Sequence, residues 1–335
     1  MRKLLPKLIV LAGIMLVIIA YVASNIFQYM NEPLEFDEMI TIDLKPGSTF
    51  RSVSSQLVVH KLLEHEDYFK IWVRLSGNAT RLQAGEYQLH PGQTLAELID
   101  DMVAGRVKQY SLTLVEGWTF REFLQAMNDN EAVDHTLAGL SNEEIMIELG
   151  LDSMHPEGRF FPDTYFIHNN TRDVEVLKRA YQQMELHLQQ QWEGRDDNLP
   201  FKTPYEALIL ASIVEKESAV PEERPIIAGV FINRLRKGMR LQTDPTVIYG
   251  IGEKYDGDIR FKDLRTDTPY NTYTRSGLTP TPIAMPGIGA IKAVMHPADT
   301  GYLYFVATGD GSGRHVFSTN HEDHEKAVDK YQRKK

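Results

Sequence analysis

Residues Leu8 to Phe27, LIVLAGIMLVIIAYVASNIF, form a run of about twenty positions without a charge, and no other stretch limits the fold as strongly. A run this long satisfies its backbone only as a helix, and as a helix it matches the thickness of a bilayer core. Arg2, Lys3 and Lys7 precede it, whereas Glu32, Glu35 and Asp37 follow it. The positive-inside bias therefore predicts a cytoplasmic tail over residues 1–7, a membrane helix over 8–28 and everything later outside the cytoplasmic membrane. A cleaved signal peptide fits less well. Its apolar region would be too long, and Tyr21 sits badly in the best small-residue site, which ends at Ala23.

The rest of the 335-residue chain is acidic. The chain carries 36 basic and 46 acidic residues, and three of the basic ones lie before Leu8. Nucleic acid is a poor partner for such a surface, since phosphate neutralisation needs a basic face. There is no cysteine, which excludes disulfides and thiolate chemistry.

A short motif recurs three times after the apolar run: Ile42-Asp43-Leu44-Lys45-Pro46-Gly47-Ser48-Thr49-Phe50, Tyr87-Gln88-Leu89-His90-Pro91-Gly92-Gln93-Thr94-Leu95 and Leu112-Thr113-Leu114-Val115-Glu116-Gly117-Trp118-Thr119-Phe120. Each copy reads as a strand, a glycine turn, a Ser/Thr cap and the start of an amphipathic helix. The spacing is too irregular for a solenoid. We read residues 29–125 as αβ repeats and 126–335 as a catalytic domain, giving an α+β fold class behind one transmembrane helix. The second copy, about 85–109, resembles the LysM-like modules that lie along glycan strands; a structural repeat without a ligand is the alternative.

Thr203 to Val220, TPYEALILASIVEKESAV, predicts a helix with a marked start. Thr203 can cap it, Pro204 suits the first helical position and Glu206 sits where a capping-box acid belongs. At about 100° per residue, Ile209, Leu210, Ile213 and Val214 share one side. Glu217 falls within that apolar stripe, while Glu215 falls almost opposite, near Ser212 and Lys216. A carboxylate held against apolar side chains favours its protonated form, which a general acid needs near neutral pH. The competing expectation is a helix-end glutamate that frays into water.

Further stretches suggest a cleft. Glu157-Gly158-Arg159-Phe160-Phe161-Pro162-Asp163-Thr164-Tyr165 has the rings and acids of a sugar-binding wall, or of an aromatic core with a turn. Residues 226–236, IIAGVFINRLR, predict a helix, and Thr243 or Asp244 before Pro245 reads as the cap of another. Residues 268–289 are too rich in Pro, Thr and Gly for regular structure and predict a long ordered loop. Residues 302–307 and 315–318 predict a hairpin. His315, His321, Asp323 and His324 match no strong metal-ligand spacing, and an exposed helix start explains them better. With no G-x-S-x-G elbow and no cysteine, carboxylate chemistry remains.

The apolar helix, "AGEYQL", "LVEGWT", "EGRFFPDTY", "ASIVEKES", "FINRLRKGMRLQTDPTVIYG", "YNTY", "IAMPG" and "YLYFVA" together resemble the MltG (YceG-like) family of endolytic peptidoglycan transglycosylases. The resemblance covers nearly the whole chain. It implies that Glu217, the second glutamate of E-K-E, is the catalytic acid/base. It further implies non-hydrolytic cleavage of the bond from N-acetylmuramic acid to N-acetylglucosamine, leaving 1,6-anhydro ends without a cofactor or metal. Motif and polarity make Glu157, Asn233, Gln242, Asp244 and Asn320 the candidates for orienting the sugars. The expected partners are glycan strands, the membrane and peptidoglycan synthases (penicillin-binding proteins). A membrane-anchored wall-binding protein and a lysozyme-type hydrolase are the alternatives.

Overall fold

In the computed structural model, which describes residues 5–218 and 220–333, the apolar run is one continuous helix, α1 (Leu5–Met30). Its side chains from Leu8 to Tyr21 stand mostly exposed, as a lipid-facing helix requires. Its last turns differ. Ile26 and Met30 are buried in the core of the first of two compact units, which comprises the residues up to Tyr110 plus Phe166–Asn170. The Tyr29 hydroxyl accepts the backbone N–H groups of Glu64 and His65 at 2.9 and 3.1 Å. The apolar helix is thus built into this unit, not strung from it as a tether.

The remainder of the first unit runs β1 (Ile40–Leu44), α2 (Phe50–Val59), α3 (Glu66–Leu75), β2 (Gly85–Leu89) and α4 (Leu95–Ala104). β1 and β2 pair antiparallel, Ile40 opposite Leu89 and Leu44 opposite Gly85. Ile42, Leu44, Tyr87 and Leu89 point from this ribbon onto Val53, Leu57, Phe69, Leu98, Ile99 and Met102 of the helices. A two-stranded ribbon is marginal alone, so this helix packing is what makes it stable. The stretch 85–109 is accordingly no module by itself: its strand finds its partner at Ile40–Leu44, inside the first copy of the repeat.

The second unit takes Ser111–Tyr165 and the chain from Thr171 onward. β3 (Tyr110–Thr113) begins the third copy of the repeat, and its helix is α5 (Phe120–Asn128). Thr94 and Thr119 form full capping boxes with Glu97 and Glu122, whereas Thr49 makes no side-chain cap bond. β4 (Val133–Asp134), α6 (Asn142–Leu149), β5 (Thr164–Ile167), β6 (Thr171–Arg172) and α7 (Asp173–Glu193) follow. β3 pairs with β5, and β4 runs parallel to β6. Phe160, Phe161 and Tyr165 are buried, and Phe160 stacks on Phe120 with centroids 5.1 Å apart. These aromatics form core; the expectation of a sugar-binding wall there is overturned.

The helical centre consists of α8 (Pro204–Glu217), α9 (Arg224–Arg236) and α12 (Ile288–Met295), with α7 alongside. α10 (Asp244–Ile251) and α11 (Phe261–Arg265) separate α9 from the irregular stretch 268–287, which is ordered and partly buried. β7 (Tyr304–Ala307) and β8 (His315–Ser318) form the antiparallel hairpin, and α13 (His321–Tyr331) ends the fold. The result is a mixed α+β protein with one N-terminal apolar helix.

Candidate active site

α8 starts where its sequence directs. The Thr203 hydroxyl accepts the Glu206 N–H, and Pro204 fills the first helical position. Glu206 turns to the N–H of Lys202 at 2.6 Å instead of closing a reciprocal box with Thr203. From Ala207 to Val214 every residue is buried, Ser212 included. A helix buried all round is a central helix, so its end is held from several sides.

One hold is on Glu215. On the side opposite Glu217, Glu215 is engaged by protein groups: it accepts the Gly287 N–H at 3.0 Å and pairs with Arg224 at 2.8 Å. Burial pushes its pKa up, and the Gly287 N–H and the Arg224 charge oppose that shift. The Glu116 side chain packs against Gly287, where a Cβ would lie 1.8 Å from its carboxylate oxygen, so a larger residue would displace Glu116. Lys216 donates to the Gly117 carbonyl at 3.1 Å, and the Ser212 hydroxyl accepts the Ile283 N–H at 2.9 Å. The Gly117 N–H in turn donates to Met285, and the Met285 N–H to Trp118. The "LVEGWT" and "IAMPG" motifs therefore clamp the last turn of α8.

Glu217 closes the helix, half-buried. Among the described residues its hydrogen-bond partner is the Thr243 hydroxyl, which donates to Oε1 at 2.8 Å. Desolvation pushes its pKa up; the Thr243 bond and the His315 side chain pull it down, and the negative charge of Asp244 pushes it up further. Ser218 turns away, its hydroxyl bonding the N–H and the carbonyl of Val220.

Thr243 occupies the cap position of α10 but makes no side-chain cap bond; its hydroxyl is turned to Glu217 and donates to it. It is held in turn. The Thr243 N–H donates to the Thr272 hydroxyl at 3.1 Å, and the Thr246 and Thr272 hydroxyls lie 2.9 Å apart. Asn271 fixes the loop that supplies Thr272: its amide donates to the carbonyls of Asp263, Leu264 and Thr266, and its Oδ1 accepts the Tyr273 N–H. The Tyr273 hydroxyl donates to Asp244 at 2.6 Å. The "YNTY" motif is thus the support beneath Thr243 and Asp244. From the opposite side, buried Arg234 donates to the carbonyls of Leu241 and Leu303 at 2.7 and 2.6 Å. Glu223 holds the start of β8 through the His315 N–H and ring Nδ1, at 3.1 and 2.8 Å.

The other sequence candidates are spread out. Asp244 lies beside Glu217's partner. Gln242, exposed and in the left-handed region at φ 51°, directly precedes Thr243. Asn233 donates to the carbonyls of Thr300 and Tyr302, tying α9 to the segment before β7. Asn320 is the side-chain cap of α13. Glu157 is buried and fully engaged, accepting the Phe120 N–H at 2.9 Å and the Tyr249 hydroxyl at 3.0 Å. Desolvation pushes its pKa up to about 7. Thr243, Tyr273, Arg224 and the Glu223–His315 pair were not read as site residues. The available signal was the cap-like Thr243 two residues before a Pro-started helix turn.

No group of three potential metal-ligating side chains lies together among the described residues. What the site offers is a positioned carboxyl group with a raised pKa, one hydrogen-bond donor on it and a second acid nearby, which suits proton transfer.

The chain is similar to proteins of known name. It is 32% identical to the endolytic murein transglycosylase of Bacillus subtilis over 320 residues, covering 90% of this chain and 87% of that protein. It is 28% identical to the endolytic murein transglycosylase of Streptococcus pneumoniae, of which it spans 58%. The crystal structure of a YceG-like protein from Listeria monocytogenes superposes with a TM-score of 0.52 at 28% identity, over 87% of this chain and 99% of that one. The profile of the YceG-like family matches residues 42–330, and on that match the chain belongs to the YceG-like family.

Proposed function

We propose that this protein is an endolytic murein transglycosylase, anchored in the cytoplasmic membrane by α1, with Glu217 as its acid and base. The observation that carries the assignment of the acid is the setting of Glu217. It combines a raised pKa with, among the described residues, one hydroxyl partner, and relatives of the chain bear the name of that activity.

In this reading protonated Glu217 donates to the glycosidic oxygen as the bond to C1 of N-acetylmuramic acid breaks, and oxocarbenium-like charge develops on the sugar. The resulting carboxylate then takes the proton of the muramic C6 hydroxyl, whose oxygen closes onto C1. The proton count balances: one is given, one is recovered, and the anhydro ring replaces water as the acceptor. A single carboxylate suffices because the nucleophile belongs to the substrate. Thr243 holds Glu217 in place. Desolvation, and after it the charge of Asp244, favours the protonated form before the first step, and that negative charge favours the oxocarbenium-like state.

The anchor gives the unit after α1 a position outside the membrane, near newly made strands. Glycan holding, read from 85–109, belongs in this proposal to the whole ribbon unit around β1 and β2. Peptidoglycan synthases are the protein partners this placement suits.

The test is mass spectrometry of the products released from purified sacculi. Anhydro-muramic ends are expected. Reducing muramic ends would make the protein a lysozyme-type hydrolase, and no release with retained binding would make it a wall-binding protein.

A further inference from the structure

The first unit contains an apolar feature that anchoring alone does not explain. α3 runs antiparallel along the outer end of α1. Tyr68 near its start meets Tyr29, Trp72 meets Phe27 with ring centroids 6.0 Å apart, and Leu75 at its end reaches about the level of Val22. Between the two helices lies an apolar groove of about 590 Å³, bordered by Ile19, Val22, Phe27, Ile71, Trp72 and Leu75. Leu75 is 84% exposed and Ile71 39%, although both sit on a folded helix whose other face, Phe69 and Val73, is fully buried.

Length decides what covers these residues. α1 has 26 residues, so at about 1.5 Å per residue it measures roughly 39 Å. A bilayer with its headgroups is about 40–45 Å thick. Helix and bilayer therefore match end to end. The α1 residues that line the groove with α3, Ile18 to Phe27, lie about 5 to 18 Å in from the outer end of that span. That is deeper than the headgroup layer alone, which takes up only about 5–8 Å on each side.

On the reading that α1 spans the membrane, we infer that the C-terminal turn of α3 enters the outer leaflet beside α1, with lipid acyl chains filling the groove between them. Trp72 then lies where an indole is favoured, at the boundary between acyl chains and headgroups. Exposed Arg74 lies on the same last turn, and its long side chain can extend back toward the lipid phosphates. The consequence is orientational. A single helix would leave the outer unit free to swivel, whereas a second contact fixes its tilt and its height above the bilayer.

The absence of cysteine makes the test direct. Single variants Val17→Cys, Leu75→Cys and Ile147→Cys replace exposed residues of the full chain, so none disturbs a core. Each carries a nitroxide after reconstitution into phosphatidylglycerol/phosphatidylethanolamine vesicles. Collisions with oxygen and with a water-soluble nickel chelate then report depth. Oxygen should dominate at 17 and, less strongly, at 75, while nickel dominates at 147. Nickel access at 75 with oxygen access at 17 overturns this inference alone. Nickel access at both overturns the membrane span itself. Protection of 75 from both reagents means that protein, not lipid, fills the groove, and lipid-like behaviour at 147 means non-specific deposition; either result also overturns the inference.

Discussion

The neighbourhoods of Glu157 and Glu217 look alike in the property most often used to find catalytic acids. Both carboxyl groups are withdrawn from water, and desolvation raises the pKa of each. They differ in what remains for chemistry. Glu157 spends its two oxygens on Phe120 and Tyr249, and the aromatic layer of Phe120 and Phe160 packs beside it. Glu217 spends one oxygen on Thr243 and, as the last residue of its helix, is only half-buried. A perturbed pKa therefore marks burial; a perturbed pKa with unspent bonding capacity marks a site.

The most severe test of this contrast is Glu217→Gln. Loss of a positioned general acid costs on the order of 10²–10⁴-fold. Glu217 serves both proton transfers, so anhydromuropeptide release from sacculi should fall by at least the upper value. The amide can still accept the Thr243 hydroxyl, so the thermal melt should match the parent. A folded, active Glu217→Gln would remove the assignment.

Glu215→Gln comes next, and here the structure changes the expectation. The wheel puts Glu215 on the polar side, opposite Glu217, where its loss should spare most of the activity. Instead the variant leaves Arg224, 13% exposed, without its nearest partner, and Glu116 at 4.0 Å compensates only in part. Breaking a buried pair costs about 3–5 kcal/mol, and the remaining Glu116 contact puts the expected loss at or below the lower end. Melting temperature should drop clearly, and activity per folded molecule should fall less than for Glu217→Gln. An unchanged melt would mean that the pair does not hold the helix end.

How far the sequence reached is visible on this one helix. Its start was legible because caps and N1 proline are local. Glu217's direction was legible because periodicity alone sets it. Glu215's partner was not, since the Arg224 contact depends on the turn after α8, and the Gly287 N–H comes from a loop without periodicity. The same limit hid Tyr273 and let Phe160 and Phe161 pass for a cleft wall: ring content is a property of the sequence, but burial belongs to the packing.

Two variants beside Glu217 sharpen the comparison through direction, not size. Thr243→Val removes the bond that favours the charged form, so the Glu217 pKa should rise and the alkaline limb of the kcat/KM profile move to higher pH. Asp244→Asn removes a negative charge that favours the neutral form, so the limb should move to lower pH. Each should also lower the maximal rate, by about tenfold for one neutral contact. Shifts of the same sign in both variants would mean that the limb reports another group.

The smallest effect on activity is expected for Glu157→Gln, and it isolates what burial alone does. Burial pushes the Glu157 carboxyl up to about 7, from an ordinary value of 4.5. A pKa raised by folding adds stability below the unfolded value, and that stability is lost as the pH rises through the folded value. Across pH 4.5 to 7 the parent should therefore lose stability on the order of 3 kcal/mol from this residue. Glutamine cannot ionise, yet its carbonyl can accept the Phe120 N–H and its amide can donate to the Tyr249 oxygen. The variant should thus melt like the parent at pH 4.5 and above it at pH 8, with transglycosylase activity near that of the parent. His155, whose pKa burial pushes down, titrates in both proteins and cancels in the difference. Parallel melting curves over the whole range would mean that Glu157 is ionised in the folded protein. Loss of activity with an unchanged melt would mean that Glu157 belongs to the site after all.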